Sequence, residues 1–448
     1  MKKKFISCFL LLLIGIILTS CGLSKEVVTS FNPYKKQYTQ SELALISNDS
    51  FVSLNRINFP NLNKETYNVK NEYIDSILNF SFDIYKRIDK TKNMSFSPMG
   101  LYSVLSIVSL ACNIPEINNV FDQVLYQTKE ERNNNYADFY KSNYFVNGDG
   151  TVQFYNGVFS TNKYEANRDF ISLLTKYYCE AYSMNFYNDQ DVNKMLEWID
   201  KRVQSEKFLN KKDLEIDETT AMFIINTLYF NNKWANSFAT SKTKEGPFYL
   251  SNNEQIQTNY MHHSYLGLAY DYGTYLSVYD YYKNGYSVQY LISKDHKDNI
   301  FELLGDYNFL IEDENKRILL SENEDYLIIN LDVPKFKNEC LINFNDILIE
   351  LGLDIIFDEN SHSLDGAFSN LPIDYSTYLS YVKQKNIVSF SEDGTEIKST
   401  TYSMAGAKSS APIYRDTINV TLDNPFIYII YDENHIPLYI GNINNPNE

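Results

Sequence analysis

The stretch from Glu392 to Pro412 reads EDGTEIKSTTYSMAGAKSSAP. From Thr395 to Ser403 the side chains alternate. Thr395, Ile397, Ser399, Thr401 and Ser403 fall on one face, and Glu396, Lys398, Thr400 and Tyr402 on the other. That is a strand pattern with small or β-branched residues inside. Met404 to Ser410 is instead a run of small residues with Gly406 and a single basic residue, Lys408, and Pro412 closes it. Such a composition predicts an exposed, protease-accessible loop. Strand chemistry joined to a loop that offers a Lys–Ser bond suits a bait that changes state. An ordinary edge strand running into a surface loop would look the same in isolation, so the rest of the chain has to decide.

Working outward, the segments on either side carry a recognisable order. From Glu72, the residues Ile74, Ile77, Leu78, Phe82, Ile84 and Tyr85 recur at helical spacing. Asn93 to Pro98 then opens a second helix, with a hydroxyl to cap it at Ser97 and a proline in the first turn at Pro98. Leu101 to Ala111 is apolar on nearly every side and should be buried in the middle of the fold. Further on come AMFIINTLYFNNKWANSFATSKTKEGPF (221–248), LDVPKFKN (331–338), Leu351-Gly352-Leu353 with Phe357, Lys385 to Thr395, and a closing DNPFIYIIYDENHIPLYIGNINNPNE from Asp423. Together these segments resemble the serpin family over roughly residues 72–446.

The resemblance implies a mixed α/β (α+β) serpin fold, about nine helices on three β-sheets, within a domain spanning 71–448 and with a reactive loop at about 392–418. In that family the loop is cut by a target protease and inserts as a new strand in the central sheet, dragging the acylated protease with it. Glu392, Gly394, Thr395, Ile397, Lys398, Ser399 and Thr400 correspond to the loop hinge. Ser97, Asn226, Trp234 and Gln384 correspond to the shutter and breach that control opening of the sheet. Counting from the hinge glycine places the reactive bond at Lys408-Ser409, and a lysine there suits the acidic pocket of a trypsin-like serine protease. Arg415-Asp416 is a competing bond, but it lies beyond Pro412. The approach Ala405-Gly406-Ala407 also admits other serine proteases or papain-like cysteine proteases.

Physical checks on this sequence are favourable. Gly394 can reorganise its backbone cheaply. No proline lies between Gly394 and Lys408, so every N–H there can join a ladder. Extended, the segment spans roughly 45–50 Å. There are also departures from the family. Small residues are expected after the hinge, where Ile397, Lys398, Ser399 and Thr400 stand. The family's serine one turn after Ser97 is Gly100, and its shutter histidine is Gln384, which can still bond Asn226 or Ser97. The non-inhibitory alternative, a surface binding protein whose loop is cut without trapping anything, rests on Ile397 and Lys398.

Residues 1–20 read as a secretory signal, with basic Met1 to Lys4, an apolar core Phe5 to Leu18, and Leu18-Thr19-Ser20-Cys21 as a lipobox. Acylation of Cys21 would hold the protein on a membrane while the polypeptide stays in water, with 21–70 as spacer and lead-in. Gly22 is not the acidic residue that retains lipoproteins at an inner membrane, so the expected address is the cell envelope, at the outer membrane or cell surface. A net charge of -17 with a pI near 4.8 excludes a basic stripe for nucleic acid. Cys112, Cys179 and Cys340 cannot pair off and should be isolated, mostly buried thiols. No metal, cofactor or enzyme motif is present, and a monomer is expected. His262-His263 reads as an exposed loop pair without a ligand pattern. Glu312 to Glu314 reads as a solvated turn. Tyr279, Tyr281 and Tyr282 could form a carbohydrate-binding face or pack in half-buried strands.

Overall fold

In a computed structural model, residues 50–216, 220–304, 308–311, 327–396 and 417–448 are described. Among them are eight α-helices and three sheets. The signal sequence, Cys21, Ile397 to Thr400, Lys408-Ser409, Arg415-Asp416 and Glu312 to Glu314 lie outside the described residues.

The chain opens with β1 (Val52–Ser53), which pairs with β5 at the edge of the largest sheet. The lead-in is thus part of the fold. Phe51 packs on Tyr182, Phe59 stacks on Tyr144, and Leu54 and Val69 are buried. Helix α1 (Asn71–Arg87) buries Tyr73, Ile77, Phe80 and Ile84 on one face, and β2 (Met94–Phe96) follows. Helix α2 (Pro98–Ala111) is buried at every residue but Val104. Its cap is as expected: Ser97 Oγ accepts from the Gly100 N–H at 3.1 Å. Then come α3 (Pro115–Val124) and α4 (Lys129–Ser142), the latter started by a reciprocal Thr128/Glu131 capping box.

Next are β3 (Phe145–Val146), β4 (Gly150–Thr161), α5 (Arg168–Leu174), β5 (Cys179–Met184), α6 (Asp189–Val203) and β6 (Met222–Lys233). The middle of the chain forms β7 (Lys244–Tyr249), β8 (Gln255–Gly267), β9 (Ala269–Asp271), β10 (Tyr275–Tyr281), β11 (Ser287–Ser293) and α7 (Ile300–Leu304). The last part holds β12 (Leu327–Pro334), β13 (Phe336–Asn343), α8 (Asn345–Leu348), β14 (Lys383–Phe390), β15 (Gly394–Glu396), β16 (Thr417–Thr421), β17 (Phe426–Tyr431) and β18 (Pro437–Ile443).

The large sheet runs β1-β5-β4-β6-β15-β14-β13, with β3 also on β4. The others run β2-β18-β17-β11-β10-β9 and β16-β12-β8-β7. Strands β17 and β18 are buried at every position, in keeping with a composition that is apolar but for Gly441 and Asn442. Helix α2 lies between β6 and β18, so its all-round hydrophobicity is spent between two sheets.

One expectation needs correction, and one pair of alternatives is decided. His262 and His263 are not in a loop but on β8, where His262 pairs with Asp332 (2.8 Å) and buried His263 with Asp280 (3.0 Å). Of the two readings of Tyr279, Tyr281 and Tyr282, the structure shows packing in and beside a strand and not an exposed face. Tyr279 and Tyr282 are buried, and Tyr282 stacks on Trp234. Cys112 and Cys179 are free and buried, and Cys340 is partly exposed.

Candidate functional site

The hinge residues enter the large sheet. β15 lies between β6 and β14, antiparallel to both: Gly394, Thr395 and Glu396 face Lys233, Asn232 and Asn231 on one side, and Thr395 and Glu396 face Phe390 and Ser389 on the other. Gly394 is needed for closeness. A Cβ there would sit 2.2 Å from the Asn232 carbonyl oxygen, while the glycine's φ is not in the left-handed region. Thr395 points inward and is fully buried, its hydroxyl 2.6 Å from that of Tyr282.

Around the hinge the contacts are directional. Lys335 Nζ lies 2.9 Å from Glu392 Oε2, and the Thr243 hydroxyl donates to Glu392 Oε1 at 2.9 Å. Burial pushes the Glu392 carboxyl up. The Lys335 ammonium, a backbone N–H and the Thr243 hydroxyl together pull harder and leave it below the usual glutamate range. Trp234, fully buried, donates its indole N–H to the Ser391 carbonyl (2.9 Å) and its backbone N–H to that of Asp393 (3.3 Å). Its ring stacks on Tyr282 with centroids 4.5 Å apart.

Further along the same strands the picture changes. β6 pairs with β4 from Met222 to Asn232, and β14 pairs with β13 throughout. Among the described residues no ladder joins β6 to β14 directly. A cavity of about 490 Å³ lies there, lined by Met222 to Leu228 of β6 and Lys383 to Ile387 of β14. At its α2 side is a polar cluster. The Ser97 N–H donates to Gln384 Oε1 (2.7 Å) and Gln384 Nε2 returns a bond to the Ser97 carbonyl (3.1 Å). Asn386 donates to both Gln384 Oε1 and the Ser95 carbonyl.

Asn226 takes a separate partner, donating to Asn156 Oδ1 at 2.8 Å, and Asn156 in turn donates to the Tyr136 hydroxyl and the Tyr177 carbonyl. Of the two partners expected for Gln384, the structure shows Ser97. Gly100 explains the fit: a Cβ there would lie 2.8 Å from Asn226 Oδ1 and 2.9 Å from Gln384 Nε2. The missing side chain makes room for the longer glutamine.

The structure therefore brings Glu392, Gly394, Thr395 and Trp234 together at one end of the slot, and Ser97, Asn226 and Gln384 together at its middle. Sequence reasoning missed Lys335, Thr243, Tyr282, Asn156 and Asn386 as members of these clusters. For Lys335 a signal existed, since it stands in the Pro-Lys-Phe segment already singled out.

A central sheet in which, among the described residues, a strand is started between two neighbours that no ladder joins directly, with a buried helix behind it, defines a class of protein. The family model described as "Serpin (serine protease inhibitor)" matches residues 75–446, and the chain belongs to the serpin family. Serpin-ZXA of Oryza sativa subsp. japonica is 26% identical over 372 residues, covering 79% of this chain and 90% of the rice protein. Among solved structures, the native state of the thermophilic serpin tengpin matches with a TM-score of 0.71 at 20% identity, over 86% of this chain and 97% of tengpin. Thyroxine-binding globulin in complex with thyroxine matches with a TM-score of 0.66 at 18% identity, over 84% of this chain and 99% of that protein.

Proposed function

We propose that this serpin is a suicide-substrate inhibitor of a trypsin-like serine protease, cleaved at Lys408-Ser409 and trapping its target by loop insertion, and that it acts outside the cytoplasm, held at the cell envelope by acylated Cys21. The observation that carries the inhibitory reading is the slot. Its hinge end is occupied by Gly394 to Glu396, and the same two strands stand unjoined beyond them. A strand continuing from β15 would find hydrogen-bonding edges on both sides, and burying those groups in a ladder is the favourable step that insertion needs. The protease does the chemistry of cleavage. This chain supplies the bond and the fold that moves it.

A non-inhibitory role is the second reading. It is favoured by the bulky Ile397 and charged Lys398 after the hinge. Incubating the chain with trypsin and resolving the mixture on a denaturing gel separates the two. A band at the summed mass, with cleavage mapped to Lys408-Ser409, is expected for the inhibitor. Clean cleavage with full trypsin activity and no gain in thermal stability of the cut chain would sink the insertion mechanism. The same cleavage with a large gain would point to another target, papain-like cysteine proteases included.

A further inference from the structure

The end of the domain opposite the hinge carries an exposed aromatic and aliphatic patch that loop chemistry does not use. Strands β4 and β5 run parallel to one another, and their last paired residues are Thr161 and Met184, far from the hinge. Lys163, Tyr164 and Tyr187 follow these ends. The segment before β14 packs on them: the Ser369 N–H donates to the Glu165 carbonyl, Asn370 donates to the Glu165 carboxylate at 2.8 Å, and the Tyr164 and Tyr375 rings lie 4.8 Å apart. Ile373 is 94% exposed and Tyr187 is 51% exposed. The Lys163 ammonium sits 4.6 Å over the Tyr187 ring. Lys163 and Tyr164 are neighbours in sequence, so these contacts bring Tyr164, Tyr187 and Tyr375 to one end of the domain.

The chain enters the fold at the same end. Ser50, the first described residue, donates to Asp191 at 2.5 Å and accepts from Asn188 at 3.4 Å, next to Tyr187. The described chain thus begins beside the patch, and Cys21 precedes that point in sequence. The roughly 30 residues between Cys21 and Ser50 can reach at most roughly 100 Å.

We propose that this end of the domain docks on the surface of a lipid bilayer, with Tyr164, Tyr187, Tyr375 and Ile373 at the headgroup level and the hinge at Glu392 to Thr395 turned away from the membrane. The proposal rests on acylation of Cys21. Tyrosine has an apolar body and a polar tip, which suits the boundary between acyl chains and water. A lysine on a long stem can turn from a ring to a lipid phosphate. The acyl chains confine the domain close to the bilayer, so the patch has only to orient it and needs little affinity of its own. Glu165, Asp169, Asp189 and Asp374 surround the patch in sequence. Their charge favours a zwitterionic bilayer over a strongly anionic one.

The test uses the mature acylated chain in phosphatidylcholine vesicles. An environment-sensitive fluorophore is placed at Ile373→Cys or at Ser241→Cys, which is exposed near the hinge, each in a Cys340→Ser background. Nitroxide carried on the lipid should quench the label at position 373 several-fold more than the label at 241, and aqueous iodide should do the reverse. Tyr187→Glu should shrink that difference without changing the melting temperature. Equal quenching at the two positions, with the diacylated Cys21 peptide confirmed by mass spectrometry, overturns the docking. Absence of that modified peptide overturns the anchor beneath it, and the two failures are told apart by the mass alone.

Discussion

At the hinge end, the space between β6 and β14 is filled by a strand, an ion pair and stacked rings. A few residues along the same two strands it is a cavity bordered by amides. The contacts differ in what they join. At the hinge, Thr395 hydrogen-bonds Tyr282 and β15 ladders to both neighbours, so the two sides of the slot are bound through a third element. In the middle, Gln384 ties β14 to the start of α2 while Asn226 ties β6 to β4, so the two strands are linked through the helix behind them. At the hinge end a third strand bridges the two sides, and in the middle no ladder among the described residues does so.

The most severe way to break this contrast is Thr395→Arg. The position is fully buried between Tyr282 and the ladder, and leaving a buried guanidinium without a partner costs several kcal/mol. β15 should leave the slot, and the cleaved variant should melt at the temperature of the uncut chain. A cleaved variant stabilised as strongly as the cleaved wild type would show that the slot is not entered here.

Gly100→Leu should act next, by forcing apart Asn226 and Gln384, for a loss of about 1–3 kcal/mol read as a lower denaturation midpoint. Gly100→Ala should cost less, because the atoms it meets are the ends of side chains that can shift. Equal losses in the two variants would mean that the backbone, and not these two amides, sets the limit.

Lys335→Ala should cost about 0.2–1 kcal/mol, since the lysine is partly exposed. Its pH signature is more telling. Glu392 is held below its ordinary value, so its stabilisation is present above about pH 4.3 and is lost as pH falls through the depressed folded value. Thermal melts across that acid window should show a shallower dependence in Lys335→Ala than in wild type. The smallest effect at neutral pH is expected for Gln384→His. It should become visible only as the pH falls below about 6.5, where a charge would appear in the polar cluster. Identical pH profiles for this variant and the wild type would mean that the cluster does not sense charge.

Local chemistry made parts of the fold legible: the capped, nearly all-apolar α2 and the inward position of Thr395 by alternation. What stayed hidden is set by packing of remote residues. Glu392 meets Thr243 and Lys335, and Gln384 meets Ser97, across long stretches of chain that no local period connects. The misplacement of His262 and His263 had a local cause. Two adjacent histidines lack an evident apolar alternation, yet β8 buries alternate positions on either side of them. Residues 50–70 looked like spacer because a two-residue strand and a few scattered aromatic anchors leave no periodic trace.

Strands β6 and β14 both run opposite to β15, and therefore parallel to each other. Starting a ladder between distant strands is slow, because chain entropy has to be lost before any bond rewards it. In this molecule that first step is already complete in the uncut chain: register, direction and face are fixed by three residues. Growth from such a seed adds one residue at a time with a waiting partner on each side, as a zip closes once its slider is engaged. On the inhibitory mechanism proposed above, the outcome of an encounter with a protease would be a race between the growth of that seed and hydrolysis of the acyl bond, and the side chains at Ile397 and Lys398 would be the first to be timed.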